Sequence, residues 1–325
     1  MPSIATQPAA GHTGHVDRSQ VAVIIPTYRA ATYWKALAAS LAQQNLPIQQ
    51  ILVVDTASND GTFQLAEADG FHVIRIPQCE FNHGGTRQFA AQQMPWAKVV
   101  IYLTQDTILT PGALDALLIA FNDPAVGAAY GRQLPRAGAG IIEAHVRAFN
   151  YPEQSRVQTF ESRRQLGIKA AFLSNNFAAY RVDALVQAGG FPSNVIMGED
   201  AMVAGRMLML GWKTAYVAEA QVYHSHGYSI AEAFRRYFDT GVYHAQESWL
   251  LENFGNPQGE GRRFVLSELR ALLPGHFYLL PYALLHTCAK YLGYQCGLRE
   301  AQLSTAWCRR FSCQTNYWDT PRKVK

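Results

Sequence analysis

Residues 99–107, V-V-I-Y-L-T-Q-D-T, constrain the fold most. Five apolar or aromatic residues run without a break into Thr104, Gln105 and Asp106. Such a run fits a strand buried on both faces, as in the interior of a parallel sheet. A carboxylate where that strand emerges stands where open α/β sheets bind ligands. By position alone Asp106 is either a ligand-binding acid or a turn residue capping the helix after Pro111.

The preceding segments supply the rest of that sheet. Residues 21–25 (V-A-V-I-I) predict a short buried strand that Pro26 ends, with Thr27, Tyr28 and Arg29 in a loop. A helix follows over about 32–44, with Leu37 and Leu41 on one face. Residues 51–54 predict a second strand ending in Asp55; a turn-rich stretch then opens a helix at about Thr62, and residues 71–76 predict a third strand. This β-α-β-α-β rhythm implies a parallel sheet with right-handed crossovers. G-x-G-x-x-G is absent after the first strand, which disfavours dinucleotide binding. Asp55, at a strand's carboxyl end, can accept hydrogen bonds from a ribose or a base N–H. Asp60 either caps the next helix or contacts the base.

Residues 81–87 read F-N-H-G-G-T-R. Beside His83, Gly84 and Gly85 let the backbone approach a ligand closely. A helix over residues 86–94 then offers free N–H groups with Arg87 alongside, an anion site. The alternative is a tight loop with a solvated Arg87.

In the second half, a helix is expected over 111–121, a strand over 126–130 and a partly helical, substrate-facing excursion over 132–165. Residues 170–181 predict strand, polar turn, strand, with Ser174, Asn175 and Asn176 available to sugar hydroxyls. Gly198-Glu199-Asp200 leads into an apolar helix. Its two carboxylates are either charge–dipole stabilisation or a general base with an orienting neighbour. Successive residues point about 100° apart, so each has its own role. A strand is expected over 214–217. His224 and His226 share a face if the chain is extended here; either they pair on a metal, or one is a ligand and the other structural. Ser229 and Glu232 form a capping box, and Ile230, Phe234, Phe238 and Val242 form one apolar stripe. Arg235 and Arg236 beside it either reach a diphosphate or form a solvated basic face.

The chain has 325 residues, 49% hydrophobic and 16% charged, a globular composition. A net charge of +4 is too mild to imply nucleic acid and suits anionic phosphates or an acidic membrane surface. Five cysteines without a C-x-x-C pair read as neither disulfide framework nor zinc site and point to a reducing compartment. Residues 1–20 lack an apolar h-region and read as a disordered leader. Residues 264–273 are apolar, flanked by Arg262, Arg263 and Arg270. Residues 276–289, broken by Pro281, fall short of the roughly 20 needed to span a bilayer. With Lys290, Arg299, Arg309 and Arg310 they suit an in-plane membrane-surface helix, or a buried or dimer-forming one.

The ordered set V-I-I-P-T-Y, V-V-D-T-A-S-N-D-G-T, L-T-Q-D, G-E-D and H-S-H resembles the family 2 inverting glycosyltransferases of GT-A fold, over roughly residues 21–242. The forms F-N-H-G-G-T-R, S-N-N-F-A-A-Y-R and Y-H-S-H-G-Y-S look most like bacterial dTDP-rhamnosyltransferases. The resemblance implies an α/β fold with a mostly parallel nucleotide-binding sheet flanked by helices and a C-terminal helical extension. It divides the chain into a leader (1–20), a catalytic domain (21–228; donor half 21–107, acceptor half 108–228) and a helical region (229–325). It implies cytoplasmic transfer of L-rhamnose from dTDP-L-rhamnose to a hydroxyl of a cell-surface polysaccharide or lipid-linked saccharide, at or away from the inner-membrane surface. Carried over by residue, Asp55 contacts the base, and Pro26, Thr27 and Tyr28 line its pocket. Asp106, after Gln105, matches the last acid of a D-x-D motif that holds Mg²⁺ or Mn²⁺. Asp200 matches the catalytic base, with Glu199 beside it, and His226 matches a position that completes the metal shell. Thr104 stands where the family often has the first Asp, so the motif has one aspartate. A nucleotidyltransferase and a non-catalytic sugar-binding subunit are the alternatives.

Overall fold

The computed structural model describes residues 16–319. Nine strands form one sheet: β1 (Val21–Thr27), β2 (Ile51–Asp55), β3 (His72–Arg75), β4 (Val99–Leu103), β5 (Ile108–Leu109), β6 (Val126–Leu134), β7 (Arg156–Gln158), β8 (Phe177–Arg181) and β9 (Lys213–Tyr223). Their order is β3-β2-β1-β4-β8-β6-β9-β5, with β7 also on β9. The run β3-β2-β1-β4 is parallel throughout. Strand β8 joins β4 antiparallel, and the half beyond it is mixed.

Alternation along β1 feeds opposite faces of the sheet. Val21, Val23 and Ile25 pack with Trp34, Leu37 and Leu41 of the helix Ala31–Ala42. Ala22 and Ile24 pack on the other side with Tyr102, Tyr180 and Val203. All five residues of β4 are buried, each stabilised by roughly 2 kcal/mol through removal from water. With both faces covered, β4 must be apolar until it leaves the sheet, and the first polar residues fall on the sheet's edge.

Several elements differ from the sequence expectation. Pro26 does not end the first strand: β1 continues to Thr27, in register with Asp55 of β2. Residues 170–181 do not form two strands; Gly167–Ala171 is a 3₁₀ turn and only β8 is extended. The helix expected from Pro111 begins at Ala113 after Gly112 and passes into a 3₁₀ turn, Ile119–Asn122. The strand expected over 214–217 is the eleven-residue β9, which reaches Tyr223. The excursion over 132–165 contains the helix Ile141–Asn150 and β7. Residues 1–15 of the expected leader lie outside the described residues, but Arg18–Gln20 is an ordered 3₁₀ turn, and Gln50 donates to the Arg18 carbonyl at 2.6 Å.

The helix Ile230–Gln246 opens at the expected Ser229 capping box and packs against Leu280–Leu298. The crossing is close: a Cβ on Gly297 would lie 2.1 Å from the Phe238 carbonyl oxygen. Pro281 begins the Leu280–Leu298 helix rather than breaking one, because a first-turn proline forfeits no helical hydrogen bond. No helix among the described residues is long and apolar enough to cross a membrane.

Candidate active site

Strand β4 delivers Thr104, Gln105 and Asp106 to the sheet edge, and the end of β9 delivers His224 and His226 to the same place. Nε2 of His224 lies 3.2 Å from Asp106 Oδ2, and Nε2 of His226 lies 2.9 Å from it. The two histidine nitrogens are 3.1 Å apart. Two imidazoles and a carboxylate converging on one point have the donor set and spacing to hold a metal ion. Burial works against the charge on Asp106, but the His224 and His226 rings beside it and the Thr104 hydroxyl hold its carboxyl far below the usual range. Thr104 donates to Asp106 Oδ1 at 2.8 Å and accepts from Asn176 Nδ2 at 2.5 Å. In place of a first aspartate, therefore, Thr104 orients the second.

His224 has a fixed tautomer. Its Nδ1 lies 3.0 Å from Gln133 Oε1, which also accepts from Arg147. An amide oxygen only accepts, so Nδ1 carries the proton and the Nε2 lone pair faces Asp106. Arg136 donates to the Asp106 carbonyl, sits 3.7 Å from its carboxylate and covers the Tyr33 ring at 5.4 Å. Gln133, Arg136 and Arg147 were not legible as site residues. They lie in the motif-free segment 132–165, at the end of β6, in the loop after it and in the helix Ile141–Asn150, and the tertiary fold returns them to Asp106.

The helix Glu199–Met209 carries the second carboxylate centre. Asp200 is half-buried and accepts from the Asn175 N–H at 3.1 Å and the Ala201 N–H at 2.8 Å. Burial and then the negative charge of Glu199 push its pKa up to about 7. Glu199 is buried, with Arg87 Nη1 at 3.0 Å and Asn175 Nδ2 at 3.1 Å on the same oxygen. Burial opposes its charge, yet the Arg87 cation holds Glu199 below the ordinary value. Gly198 precedes the pair at φ +78°, and a Cβ there would meet the Tyr243 ring at 2.6 Å. Tyr243 also donates to the Gly198 carbonyl at 3.2 Å, so the C-terminal helices buttress this turn.

The two centres are joined by adjacent residues. Asn175 holds Glu199 and Asp200, while Asn176 donates to Thr104 and Thr107. Tyr180 donates to Asn175 Oδ1 at 2.6 Å. The Asn175 side chain is thus spent on protein partners and is not available to a sugar. Ser174 accepts from Gln133 Nε2 at 3.0 Å.

The expected nucleotide wall is assembled at the ends of β1 and β2. Asp55 is fully buried, 3.3 Å from Thr27 Oγ1, 2.9 Å from the Ser58 N–H and 3.6 Å from Arg75 Nε. Pro26 stands beside Thr27 in β1. Gln105 makes a reciprocal pair with the Tyr28 backbone, accepting at 2.6 Å and donating at 3.0 Å. Its side chain therefore clamps the Tyr28 loop to the T-Q-D turn. Arg29 and Ala57 take positive φ here, +52° and +43°, conformations uncommon outside glycine. Asp60 accepts from the Ala31 N–H at the start of the helix Ala31–Ala42 and from Thr62.

The F-N-H-G-G-T-R segment differs most from expectation. Its helix begins at His83, and the Asn82 side chain caps the Gly84 and Gly85 N–H groups. Those donors are not left for an anion. Gly84 admits protein rather than ligand, since a Cβ there would lie 1.9 Å from the Pro192 carbonyl oxygen. Arg87 is neither solvated nor open to a phosphate; its guanidinium is held by Glu199 and the His83 carbonyl. Arg235 and Arg236 are exposed on the helix Ile230–Gln246, with Arg236 over the Tyr228 ring at 5.5 Å.

A parallel half with a buried aspartate at the end of β2, a carboxylate–histidine cluster where β4 and β9 end, and a carboxylate pair opening a following helix make the arrangement of a GT-A glycosyltransferase. Residues 18–239 match the family described as glycosyltransferase like family 2, and the chain belongs to that family. It is 42% identical over 302 residues to the O-antigen chain rhamnosyltransferase RfbN of Salmonella typhimurium, covering 92% of this chain and 96% of that one. It is 42% identical over 299 residues to the O-antigen chain rhamnosyltransferase WbaN of Salmonella anatum, covering 91% and 95%. The fold is similar, at TM-score 0.58, 18% identity and 91% coverage of both chains, to a mannosyltransferase, PcManGT, from Pyrobaculum calidifontis in complex with GDP-Man and Mn²⁺.

Proposed function

We propose that this enzyme transfers L-rhamnose from dTDP-L-rhamnose, with inversion, to a hydroxyl of a growing O-antigen or lipid-linked saccharide. The observation that carries the reaction class is the Asp200 carboxyl, raised in pKa and joined through Asn175 and Asn176 to the Asp106 cluster. The donor and the acceptor class are supported by full-length identity to the two Salmonella relatives.

Asp200 takes the proton of the acceptor hydroxyl as that oxygen bonds to the anomeric carbon, and the bond to the diphosphate oxygen breaks with its electron pair. Glu199 acts through Asp200: held by Arg87, it stays charged and raises the basicity of its neighbour. Asp106, His224 and His226 fit a divalent cation, and a shell with two imidazoles favours Mn²⁺ over the oxygen-seeking Mg²⁺. Such an ion, when bound, offsets negative charge on the leaving diphosphate. The buried Asp55 and the Pro26-Thr27-Tyr28 wall hold the nucleoside end. Asp60, His83, Gly84, Gly85 and Gln105 shape that wall through protein contacts. Five free cysteines fit a cytoplasmic site of action.

The test is a panel of nucleotide sugars in thermal shift, followed by product analysis. dTDP-L-rhamnose should raise Tm most and give a product of inverted anomeric configuration. A larger shift with another donor would sink the donor assignment. Acceptor-independent dTDP release alone would sink the transferase role.

A further inference from the structure

The helices Gln258–Leu272 and Leu280–Leu298 form a hairpin, turned at Pro274 and Gly275, where Gly275 has φ +87°. Its outward face is apolar and uncovered. Leu273, Phe277, Tyr278, Leu284, Leu285 and Tyr291 are each more than half exposed. Soluble surfaces seldom leave so many large apolar side chains together without a partner.

Charge identifies the partner. Between Glu260 and Glu300 the chain has five basic residues and one acid, Glu268. Glu268 is buried, and Glu260 is taken up by Lys169 at 2.7 Å and Arg263 at 2.8 Å. Arg262 and Arg270 are exposed and have no ion-pair partner among the described residues. A second copy on this face would set like charges against each other. An anionic bilayer would accept both the arginines and the apolar side chains.

We propose that this hairpin docks in the plane of an anionic phospholipid surface, with its apolar face at the headgroup–acyl boundary and Arg262 and Arg270 toward headgroup phosphates. The placement bears on the site. Tyr282 donates to the Tyr228 carbonyl at 3.4 Å, and His286 Nε2 lies 3.2 Å from it. Tyr228 is two residues beyond His226, so docking brings the edge of the Asp106 cluster to the membrane plane. Docking does not depend on the identity of the donor sugar.

The test is flotation of the full chain with vesicles of phosphatidylcholine containing one-third phosphatidylglycerol, beside vesicles of phosphatidylcholine alone. The chain should float with the anionic vesicles. Phe277→Asp with Tyr278→Asp, and separately Arg262→Ser with Arg270→Ser, should each lower partitioning by about tenfold or more. Transfer to a water-soluble acceptor, assayed without vesicles, should be unchanged in both variants, which separates docking from catalysis and from misfolding. Failure to float with either vesicle overturns the proposal, as does undiminished binding by the Phe277/Tyr278 variant. A dimer in solution that this variant converts to monomer also overturns it, in favour of a second copy.

Discussion

Arg87 and Glu199 form a buried ion pair, Nη1 to Oε1 at 3.0 Å, between two segments more than a hundred residues apart in sequence. Removing one partner of a buried pair leaves an uncompensated charge and costs about 3–5 kcal/mol. Arg87→Ala should therefore lower the urea midpoint of unfolding by a corresponding amount. A loss of under about 1 kcal/mol, the size of an exposed pair, would show that water reaches Glu199.

The same pair sets the pH profile. A general base must be deprotonated, and Asp200 is raised from the ordinary carboxylate value to about 7. The acidic limb of kcat/KM should thus lie in the neutral range rather than near pH 4. Glu199→Gln removes the nearby negative charge and leaves Arg87 in place, so the limb should move to lower pH. A limb that stays put would exclude Asp200 as the titrating base.

Asp200→Asn should lower kcat by roughly 10²–10⁴ while donor binding persists. It also has a stability signature. Because the folded pKa is raised, the contribution of Asp200 is fully present below the unfolded value near 3.9 and is lost as pH rises through the folded pKa. Relative to wild type, the asparagine variant should gain more Tm at pH 8.5 than at pH 5. Equal Tm differences at the two pH values would contradict this assignment.

Metal affinity reports on Thr104 and His224. Thr104→Val removes the hydrogen bond to Asp106 Oδ1 and should weaken Mn²⁺ binding by about 10–100-fold, read by titration calorimetry without donor. His224→Ala should weaken it further. Unchanged affinity in both variants would place the ion elsewhere.

Gly84→Ala tests the rereading of the double glycine. Its Cβ would lie 1.9 Å from the Pro192 carbonyl oxygen, whereas the nearest atom to one on Gly85 lies at 3.4 Å. Thermal unfolding should show Gly84→Ala destabilised by about 1–3 kcal/mol and Gly85→Ala much less. Equal effects would restore the ligand-facing reading of this loop.

The sequence by itself determined the parallel half and the positions of Asp55 and Asp106 at the ends of its strands, while Asp200 was singled out only by the family resemblance. A strand buried on both faces must be apolar to its end, so its first polar residue marks that end. It also determined the helix opened by Ser229. What it left open depended on partners distant in the chain. Nothing local distinguishes an arginine that binds phosphate from one that neutralises Glu199, or a glycine that admits a ligand from one that admits Pro192. Tertiary packing decided both, gave Gln105 to the Tyr28 backbone, and set His224 beside His226 with its tautomer fixed by Gln133. Hydrogen bonds and charge pairs act over a few ångströms, and only the folded chain brings residues 87 and 199, or 133 and 224, within that range.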